Sequence, residues 1–248
     1  MLKFILDQKD RLKPLLDEDK TFVTYRRSLI SVMCNIYNSS PVSIVASMFK
    51  NCIYLYSLES LDEVSKRKSC KELGKFCAWG YKFEQYLLSD APNIPPEINK
   101  PVIENEEFSI YYYSELRNHR LFYGAQIDGM LVVDNQQKDV PHTIDVEENL
   151  SFLRVNQFVE LKTNREIHHR SQEFSFKKYK LLRCWCQCYL AGLRGLLVGY
   201  RNDDGIVQRV EWFDTDGIVR YCKVSILNTD KVNKTAIKAN DRVKHSLN

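Results

Sequence analysis

The segment that most constrains the fold is FLRVNQFVELKT at residues 152–163, in which charged and apolar side chains alternate. Read as a strand, it carries Glu160 and Lys162 together on one face. The other face is apolar and consists of Leu153, Val155, Val159 and Leu161. A strand with one apolar face needs a covering layer. The segment therefore predicts a sheet packed against further elements, with a carboxylate and an ammonium group one pleat apart.

The chain has 248 residues, which suits one hydrophobic core. We expect a single catalytic domain over residues 1–248, with about twenty peripheral residues at each end. Hydrophobic residues make up 44% and charged residues 27%, which excludes a disordered or fibrous protein. The net charge of +4 fits an anionic partner but is low for a nucleic-acid coat protein.

The sequence predicts an intracellular protein without a membrane span. Asp7 and Lys9 interrupt the N-terminal apolar residues before they reach the length of a signal peptide. Eight cysteines in such a chain are expected to stay reduced. Three of them, Cys184, Cys186 and Cys188, lie in a helical segment, where alternate residues point about 200° apart and do not converge on one metal ion.

The order of predicted elements is mixed α and β. A segment with four prolines at 90–107 predicts an exposed loop, and the tail from residue 228 is basic and expected to be mobile. The predicted elements are β-rich segments at 21–32 and 42–56, a helix at 61–88, strands at 120–133 and 152–163, a helix at 174–193 and a hairpin at 196–213.

Two further segments place acids where apolar residues are expected. Glu84 falls in the apolar stripe of the helix at residues 70–88, which includes Leu73, Phe76, Cys77, Gly80 and Leu87. Gln126 and Asp128 share one face of the strand at 120–133. Taken singly, these residues are also compatible with a buried salt bridge or a polar patch under a loop.

The helix after residue 174 carries Lys180, Arg183 and Gln187 along one stripe, which suits phosphate or simply water. An acid on a helix, an acid on a strand, E-x-K on the next strand and a basic helix form the order of a PD-(D/E)XK nuclease core. Three carboxylates beside one lysine would repel one another unless a hard divalent cation joined them. The set therefore predicts a metal-dependent nuclease.

Several segments also resemble the DXO and Rai-type family of decapping exoribonucleases, in order from about residue 20 to 215. FVTYRR at 22–27 resembles the FVTWRG motif, and GYKFEQY at 80–86 is similar to the G-Φ-x-Φ-E element. YGAQIDG at 123–129 looks like the E-x-D element, and FVELKT at 158–163 like E-Φ-K. KLLRCWCQCYLAG at 180–192 resembles the K-L-L-K-W-W-x-Q-S helix, and GLLVGYRNDDGIV at 195–207 resembles the strand pair that follows.

This resemblance implies an α+β fold of two packed mixed β-sheets surrounded by helices. It implies RNA 5′ ends as substrate, Mg²⁺ or Mn²⁺ as cofactor, nuclear rather than cytoplasmic residence, and a 5′-to-3′ exoribonuclease as a partner. The implied metal ligands are Glu84, Asp128, Glu160 and the backbone carbonyl of Leu161. The implied catalytic residues are Asp128, Glu160 and Lys162, and the implied RNA-binding residues are Arg26, Gln126, Lys162 and Gln187.

The chain departs from the family pattern at Gln126, where the family has a glutamate. An amide oxygen can still bind a hard cation, but it adds no charge and binds more weakly. The chain is also shorter than typical members. Three functions therefore stay open: an active RNA 5′-end hydrolase, an RNA-end-binding or exoribonuclease-supporting protein with a weakened site, and a DNA nuclease of the broader fold.

Overall fold

Two mixed β-sheets with helices around them form the framework, as the sequence predicts. In this computed structural model the described residues are 1–17, 20–37, 41–59, 61–70, 72–104, 106–132 and 145–226. The basic tail expected from residue 228, and Val133 at the end of a predicted strand, lie outside the described residues. No helix in the described ranges is long and apolar enough to cross a membrane.

Sheet A has five strands in the order β2-β3-β1-β5-β4. They are β1 (Thr21–Tyr25), β2 (Ser43–Phe49), β3 (Cys52–Leu58), β4 (Phe108–Leu116) and β5 (His119–Ile127). The central strand β1 runs parallel to β3 and β5, while β2 with β3 and β4 with β5 form antiparallel pairs. β4 follows the segment 88–107, which contains neither helix nor strand in its described part, in agreement with the predicted loop.

Sheet B has four strands in the order β6-β7-β8-β9. They are β6 (Gly129–Leu131), β7 (Gln157–Arg165), β8 (Gly195–Arg201) and β9 (Val207–Asp214), and β8 with β9 is the predicted hairpin. β7 runs parallel to β8 and antiparallel to β6. The chain passes from sheet A to sheet B at Asp128, the residue between β5 and β6. An acidic side chain therefore lies at the junction of the two sheets.

The helices cover both sheets. They are α1 (Leu2–Asp7), α2 (Lys9–Asp17), α3 (Arg26–Asn35), α4 (Leu61–Ser69), α5 (Leu73–Leu87), α6 (Val146–Val155), α7 (Arg170–Ser175), α8 (Leu182–Leu190) and α9 (Thr215–Ile226). A π-helical segment, Phe176–Leu181, joins α7 to α8. The N-terminal residues that we expected to be peripheral form α1 and α2, and Leu12 and Leu16 of α2 are buried with Val23 of β1.

The largest buried cluster of the described residues joins sheet B to the helices that cover it and also includes Ile110, Ala125 and Ile127 of sheet A. Leu181, Leu196 and Ile218 are fully buried there and come from the π-helical segment, β8 and α9. Burial of one such side chain contributes roughly 2 kcal/mol. Leu196 is the cross-strand neighbour of Glu160, so this cluster fixes α8 over the same face of sheet B that carries Glu160.

Two predicted strands are partly helical. The segment predicted as β-rich at 21–32 ends as a strand at Tyr25, because Ile30 and Cys34, one helical turn apart, pack against Cys186 of α8. The strand predicted at 152–163 begins only at Gln157. The first residues of this predicted strand form the end of α6. At the start of α6, the side chain of the N-cap residue Asp145 accepts hydrogen bonds from backbone N–H groups. Tertiary packing and capping override the β propensity of these short apolar runs.

Candidate active site

Glu160, in the middle of β7, is the most enclosed acid of the site, with only 1% of its side chain exposed. Its Oε1 accepts hydrogen bonds from Nζ of Lys162 at 2.6 Å and from Nε2 of Gln187 at 2.7 Å. Its Oε2 accepts a hydrogen bond from Nη1 of Arg26 at 3.2 Å. A carboxylate removed from water is costly unless cations and donors surround it. Here two cations and one amide compensate it.

The alternation of β7 explains why Glu160 and Lys162 meet. They lie on one face of the strand, as predicted, while Val159 and Leu161 are buried on the other face against Phe83 of α5. The predicted apolar partners Leu153 and Val155 belong to α6 and do not share this face. Sequence alternation therefore predicts the inner part of β7 correctly and its beginning wrongly.

Asp128 lies at the edge of β7. Its Oδ2 accepts hydrogen bonds from the backbone N–H of Leu161 at 2.8 Å and from Nζ of Lys162 at 3.0 Å. The junction between the sheets thus brings a carboxylate to the strand that carries Glu160. The sequence pattern predicted one continuous strand through Gln126 and Asp128. In the structure the strand is interrupted at Asp128, and this interruption lets the Asp128 side chain reach β7.

The ammonium group of Lys162 gathers three oxygens around one positive charge. Its partners are Oδ2 of Asp128 at 3.0 Å, Oε1 of Glu160 at 2.6 Å and the carbonyl oxygen of Leu161 at 2.8 Å. Burial lowers the pKa of Lys162, but attraction to Glu160 and Asp128 outweighs burial, so the pKa rises above its usual value. These three residues are also three of the four expected metal ligands.

Glu84, the fourth expected ligand, lies on α5, which packs on β7 through Phe83. Burial raises its pKa to about 7, repulsion from Asp128 adds to the rise, and Lys162 partly offsets it. Phe83 is the buried residue of α5, whereas Cys77 and Leu87 of the predicted apolar stripe are exposed. Leu73, Phe76 and Gly80 of the stripe are half-buried, as is Glu84, so the prediction is correct for these residues. It is wrong for Cys77 and Leu87, and it omits Phe83, through which the helix packs onto Gly199 of β8.

The donor set fits a hard divalent cation. Carboxylates and a carbonyl oxygen are the ligands that Mg²⁺ and Mn²⁺ take in proteins, and Glu84, Asp128, Glu160 and Leu161 supply only such oxygens. Within the ranges that the structure describes, no three His, Cys, Asp or Glu side chains form a ready-made metal cluster. The ammonium group of Lys162 lies between Asp128 and Glu160 instead. The ligand assignment accordingly stays a prediction.

Arg26 and Gln187 come together because α3 packs on α8 through Ile30, Cys34 and Cys186. Arg26 is buried at the first position of α3, and its Nη1 also donates a hydrogen bond to the backbone carbonyl of Gln187 at 3.1 Å. The two expected RNA-binding residues thus flank Glu160. Their proximity was implied by the family resemblance and not by any local pattern.

Gln126 does not share these contacts. It lies on β5, where it pairs with Ser109 of β4, and its side chain is exposed. Sequence reasoning in turn singled out Lys180 only as one member of a polar stripe and passed over Asn164. Nζ of Lys180 donates hydrogen bonds to the carbonyl oxygen of Thr163 at 2.7 Å and to Oδ1 of Asn164 at 2.9 Å. The alternation of Glu160, Lys162 and Asn164 along β7 was the signal that could have identified this contact.

The cysteines of α8 are structural. Cys184 and Cys188 belong to the largest buried cluster, whereas Cys186 lies in a separate cluster with Ile30 and Cys34. Burial raises the pKa of the Cys184 thiol to about 11. All the cysteines are free thiols.

Comparison with known proteins shows one consistent likeness. The family model described as RAI1-like PD-(D/E)XK nuclease matches residues 1–245. A decapping and exoribonuclease protein of Xenopus laevis is 30% identical over 202 residues, which are 81% of this chain and 47% of that protein. The Drosophila melanogaster decapping and exoribonuclease protein Rai1 is 31% identical over 203 residues, 82% of this chain and 52% of that protein. The chain thus spans about half the length of the curated relatives that it matches.

Solved structures agree on the fold. Candida albicans Rai1, crystallised with pU5 and Mn²⁺, superposes with a TM-score of 0.61 at 23% identity, covering 87% of this chain and 56% of that one. Scheffersomyces stipitis Rai1, crystallised with (3′-NADP)⁺ and calcium, superposes with a TM-score of 0.64 at 20% identity, covering 91% and 60%.

Proposed function

Because the chain belongs to the family of RAI1-like PD-(D/E)XK nucleases, we propose that it is a divalent-metal-dependent hydrolase that acts on RNA 5′ ends. The observation that carries the proposal is the convergence of Arg26, Asp128, Lys162 and Gln187 around the buried carboxylate of Glu160. Two cations, one amide and two acids at one point can bind a phosphate and a metal ion together.

Each side chain has a role in this proposal. The side chains of Asp128, Glu160 and Glu84 and the Leu161 carbonyl would hold Mg²⁺ or Mn²⁺, and the ion would supply Lewis-acid polarisation of the phosphoryl oxygens. The ammonium of Lys162 and the amide of Gln187 donate hydrogen bonds to the scissile phosphate. Arg26 binds the 5′ phosphate through its guanidinium, which suits phosphate oxygens better than a lysine does.

The printed descriptions of the relatives support RNA as the substrate class. The vertebrate and insect proteins are named decapping and exoribonuclease proteins, and the Candida albicans protein was crystallised with an RNA oligonucleotide and Mn²⁺. We propose removal of an incomplete cap, an NAD cap or a 5′ triphosphate, with 5′-to-3′ degradation of the RNA body. We also propose a 5′-to-3′ exoribonuclease partner and nuclear residence, where new RNA 5′ ends arise.

The test compares metal-dependent hydrolysis of RNA with a 5′ triphosphate, an unmethylated cap or an NAD cap, with single-stranded DNA as the control substrate. Each is assayed with Mg²⁺, with Mn²⁺ and with EDTA. We expect hydrolysis of at least one RNA end, dependent on the ion and absent with DNA. Asp128→Ala should abolish hydrolysis while the protein still folds, and it should weaken RNA binding less than turnover. Equal turnover by Asp128→Ala and the parent protein contradicts the catalytic role.

A second candidate function follows from Gln126, which supplies no charge where the family has a glutamate. In this alternative the protein binds RNA 5′ ends, or supports an exoribonuclease, without efficient hydrolysis. Tight binding of 5′-phosphorylated RNA with no turnover at any Mg²⁺ or Mn²⁺ concentration would favour it over the first.

A further inference from the structure

Lys180 lies beside β7, the strand that carries Glu160 and Lys162, and belongs to the π-helical segment that joins α7 to α8. Its ammonium group donates hydrogen bonds to the carbonyl oxygen of Thr163 at 2.7 Å and to Oδ1 of Asn164 at 2.9 Å. A π-helical turn inside an α-helix often marks a functional site. None of the roles derived above for the active site uses Lys180.

The charge of Lys180 is not balanced in the way that the charge of Lys162 is. Lys162 contacts the carboxylates of Asp128 and Glu160, whereas both hydrogen-bond partners of Lys180 in the described part of the chain are neutral oxygens. Burial lowers the pKa of Lys180, the Cys184 thiol partly opposes this shift, and the positive charges of Arg201 and Lys162 lower the pKa further. A partly buried cation with no acid beside it is stabilised when an anion binds.

Lys162 and Lys180 both donate hydrogen bonds to backbone carbonyls on the same edge of β7. Along this edge β6 pairs with Gln157, Phe158 and Val159. After Val159, among the described residues, the backbone groups on this edge form hydrogen bonds with side chains and not with a strand. The carbonyl of Leu161 accepts a hydrogen bond from Lys162, and the carbonyl of Thr163 accepts one from Lys180. Carbonyls two residues apart point to the same side of a strand and are separated by roughly 6.6 Å. That separation is comparable to the spacing of successive phosphates in an extended single strand.

We propose that Lys180 forms a second phosphate subsite, which binds the internucleotide phosphate next to the one held at Lys162. This inference rests on the proposed function and deepens it, because it defines the ligand as a single-stranded oligonucleotide with at least three phosphates: the 5′ phosphate, the scissile phosphate and the next internucleotide phosphate. The unbalanced charge explains why this lysine attracts a phosphodiester. Lys178, two residues earlier in the π-helical segment, instead lies over the rings of Phe174 and Tyr179.

The test separates two phosphates from three. Binding of the dinucleotide pUpU and of the trinucleotide pUpUpU is measured in EDTA at low salt for the parent protein, Lys180→Met, Lys180→Arg and the matched control Lys178→Met. Lys180→Met should bind pUpU within about twofold of the parent and pUpUpU about tenfold more weakly. The slope of log Kd against log salt for pUpUpU should fall by about 0.7. Lys180→Arg should keep most of the pUpUpU affinity, and Lys178→Met should match the parent with both ligands.

The outcomes are distinguishable. If the parent binds neither ligand, the proposed function itself fails, and the subsite fails with it. If the parent prefers pUpUpU to pUpU and Lys180→Met keeps that full preference, Lys180 only ties the helix to β7 and the subsite is refuted while the proposed function stands. Thermal unfolding checks each variant. If Lys180→Met does not fold, Lys180→Gln, which keeps a donor for the Thr163 carbonyl, replaces it and is expected to show the same loss.

Discussion

Nη1 of Arg26, the first residue of α3, lies 3.2 Å from Oε2 of Glu160 on β7. This contact joins the helix that follows β1 of sheet A to a strand of sheet B. Both side chains are almost completely buried. Removing one partner of a buried ion pair leaves the other charge without compensation. The contact therefore supports the fold as well as the phosphate site.

Arg26→Met should lower the free energy of unfolding by about 3 kcal/mol, because Glu160 loses one of its two cations. Urea unfolding at pH 7 measures the change. The matched control is Arg27→Met, since Arg27 forms an exposed ion pair with Glu59 and should change the free energy by less than about 1 kcal/mol. Equal effects of the two substitutions would show that the buried contact contributes nothing special.

Lys162→Met should separate metal binding from hydrolysis. The ammonium group contacts three of the expected ligand residues and carries a charge that repels a dication. We expect the variant to bind Mn²⁺ at least as tightly as the parent in isothermal titration calorimetry without RNA, while hydrolysis of RNA ends is lost. Lys178→Met is the control and should change neither quantity. A variant that no longer binds Mn²⁺ would mean that the lysine assembles the ligand set and does not compete with the ion.

Glu84 should make stability depend on pH in the presence of a chelator. Its pKa is about 7 in the folded protein, against an ordinary value of 4.5. Between these values the folded state holds a proton that the unfolded state releases, so the free energy of unfolding should fall as pH rises from about 4.5 to 7 and then level off. Urea unfolding in EDTA at pH 5 and pH 8 should show a smaller fall for Glu84→Gln than for the parent. Glu72→Gln, at the exposed start of α5, should behave like the parent, and an equal fall in Glu84→Gln would contradict the shift.

Gln126→Glu should raise activity at low Mg²⁺ or Mn²⁺, because a full charge near a divalent ion strengthens its binding in a partly desolvated site. The gain should shrink as the metal concentration saturates the site. The measurement is the metal concentration that gives half-maximal hydrolysis. Unchanged metal dependence would place residue 126 outside the reach of the ion, in keeping with its exposed position on β5.

Gly199→Ala should move Glu84. A Cβ atom at residue 199 would lie 2.5 Å from the ring of Phe83, the residue before Glu84 on α5. We expect a loss of about 1 to 3 kcal/mol in the free energy of unfolding, together with weaker Mn²⁺ binding. Adding Phe83→Leu should restore part of both losses. The control is Gly74→Ala, on the same helix in open space, which should not destabilise the protein. If Gly199→Ala leaves Mn²⁺ binding at the parent value, Phe83 does not position Glu84.

The local patterns of the sequence by themselves determined the pieces of the site. Glu160 and Lys162 share a face of β7 because side chains alternate along any strand, and this holds wherever the strand lies. The β8 and β9 hairpin follows from two apolar runs around Asn202 and Gly205. The fold of two mixed sheets was implied by the resemblance of the ordered motifs to the family, and each of these motifs spans only a few neighbouring residues.

Only the tertiary structure decided how these pieces meet. The start of α3 at Arg26, the ammonium group of Lys162 between Asp128 and Glu160, and the contact of Lys180 with Thr163 all depend on residues distant in sequence. The stripe predicted around Glu84 omitted Phe83 for the same reason, since Phe83 is buried only where Gly199 leaves room for its ring. Burial and pairing of charges between distant segments contribute more free energy than local propensity does, and local patterns carry no record of them.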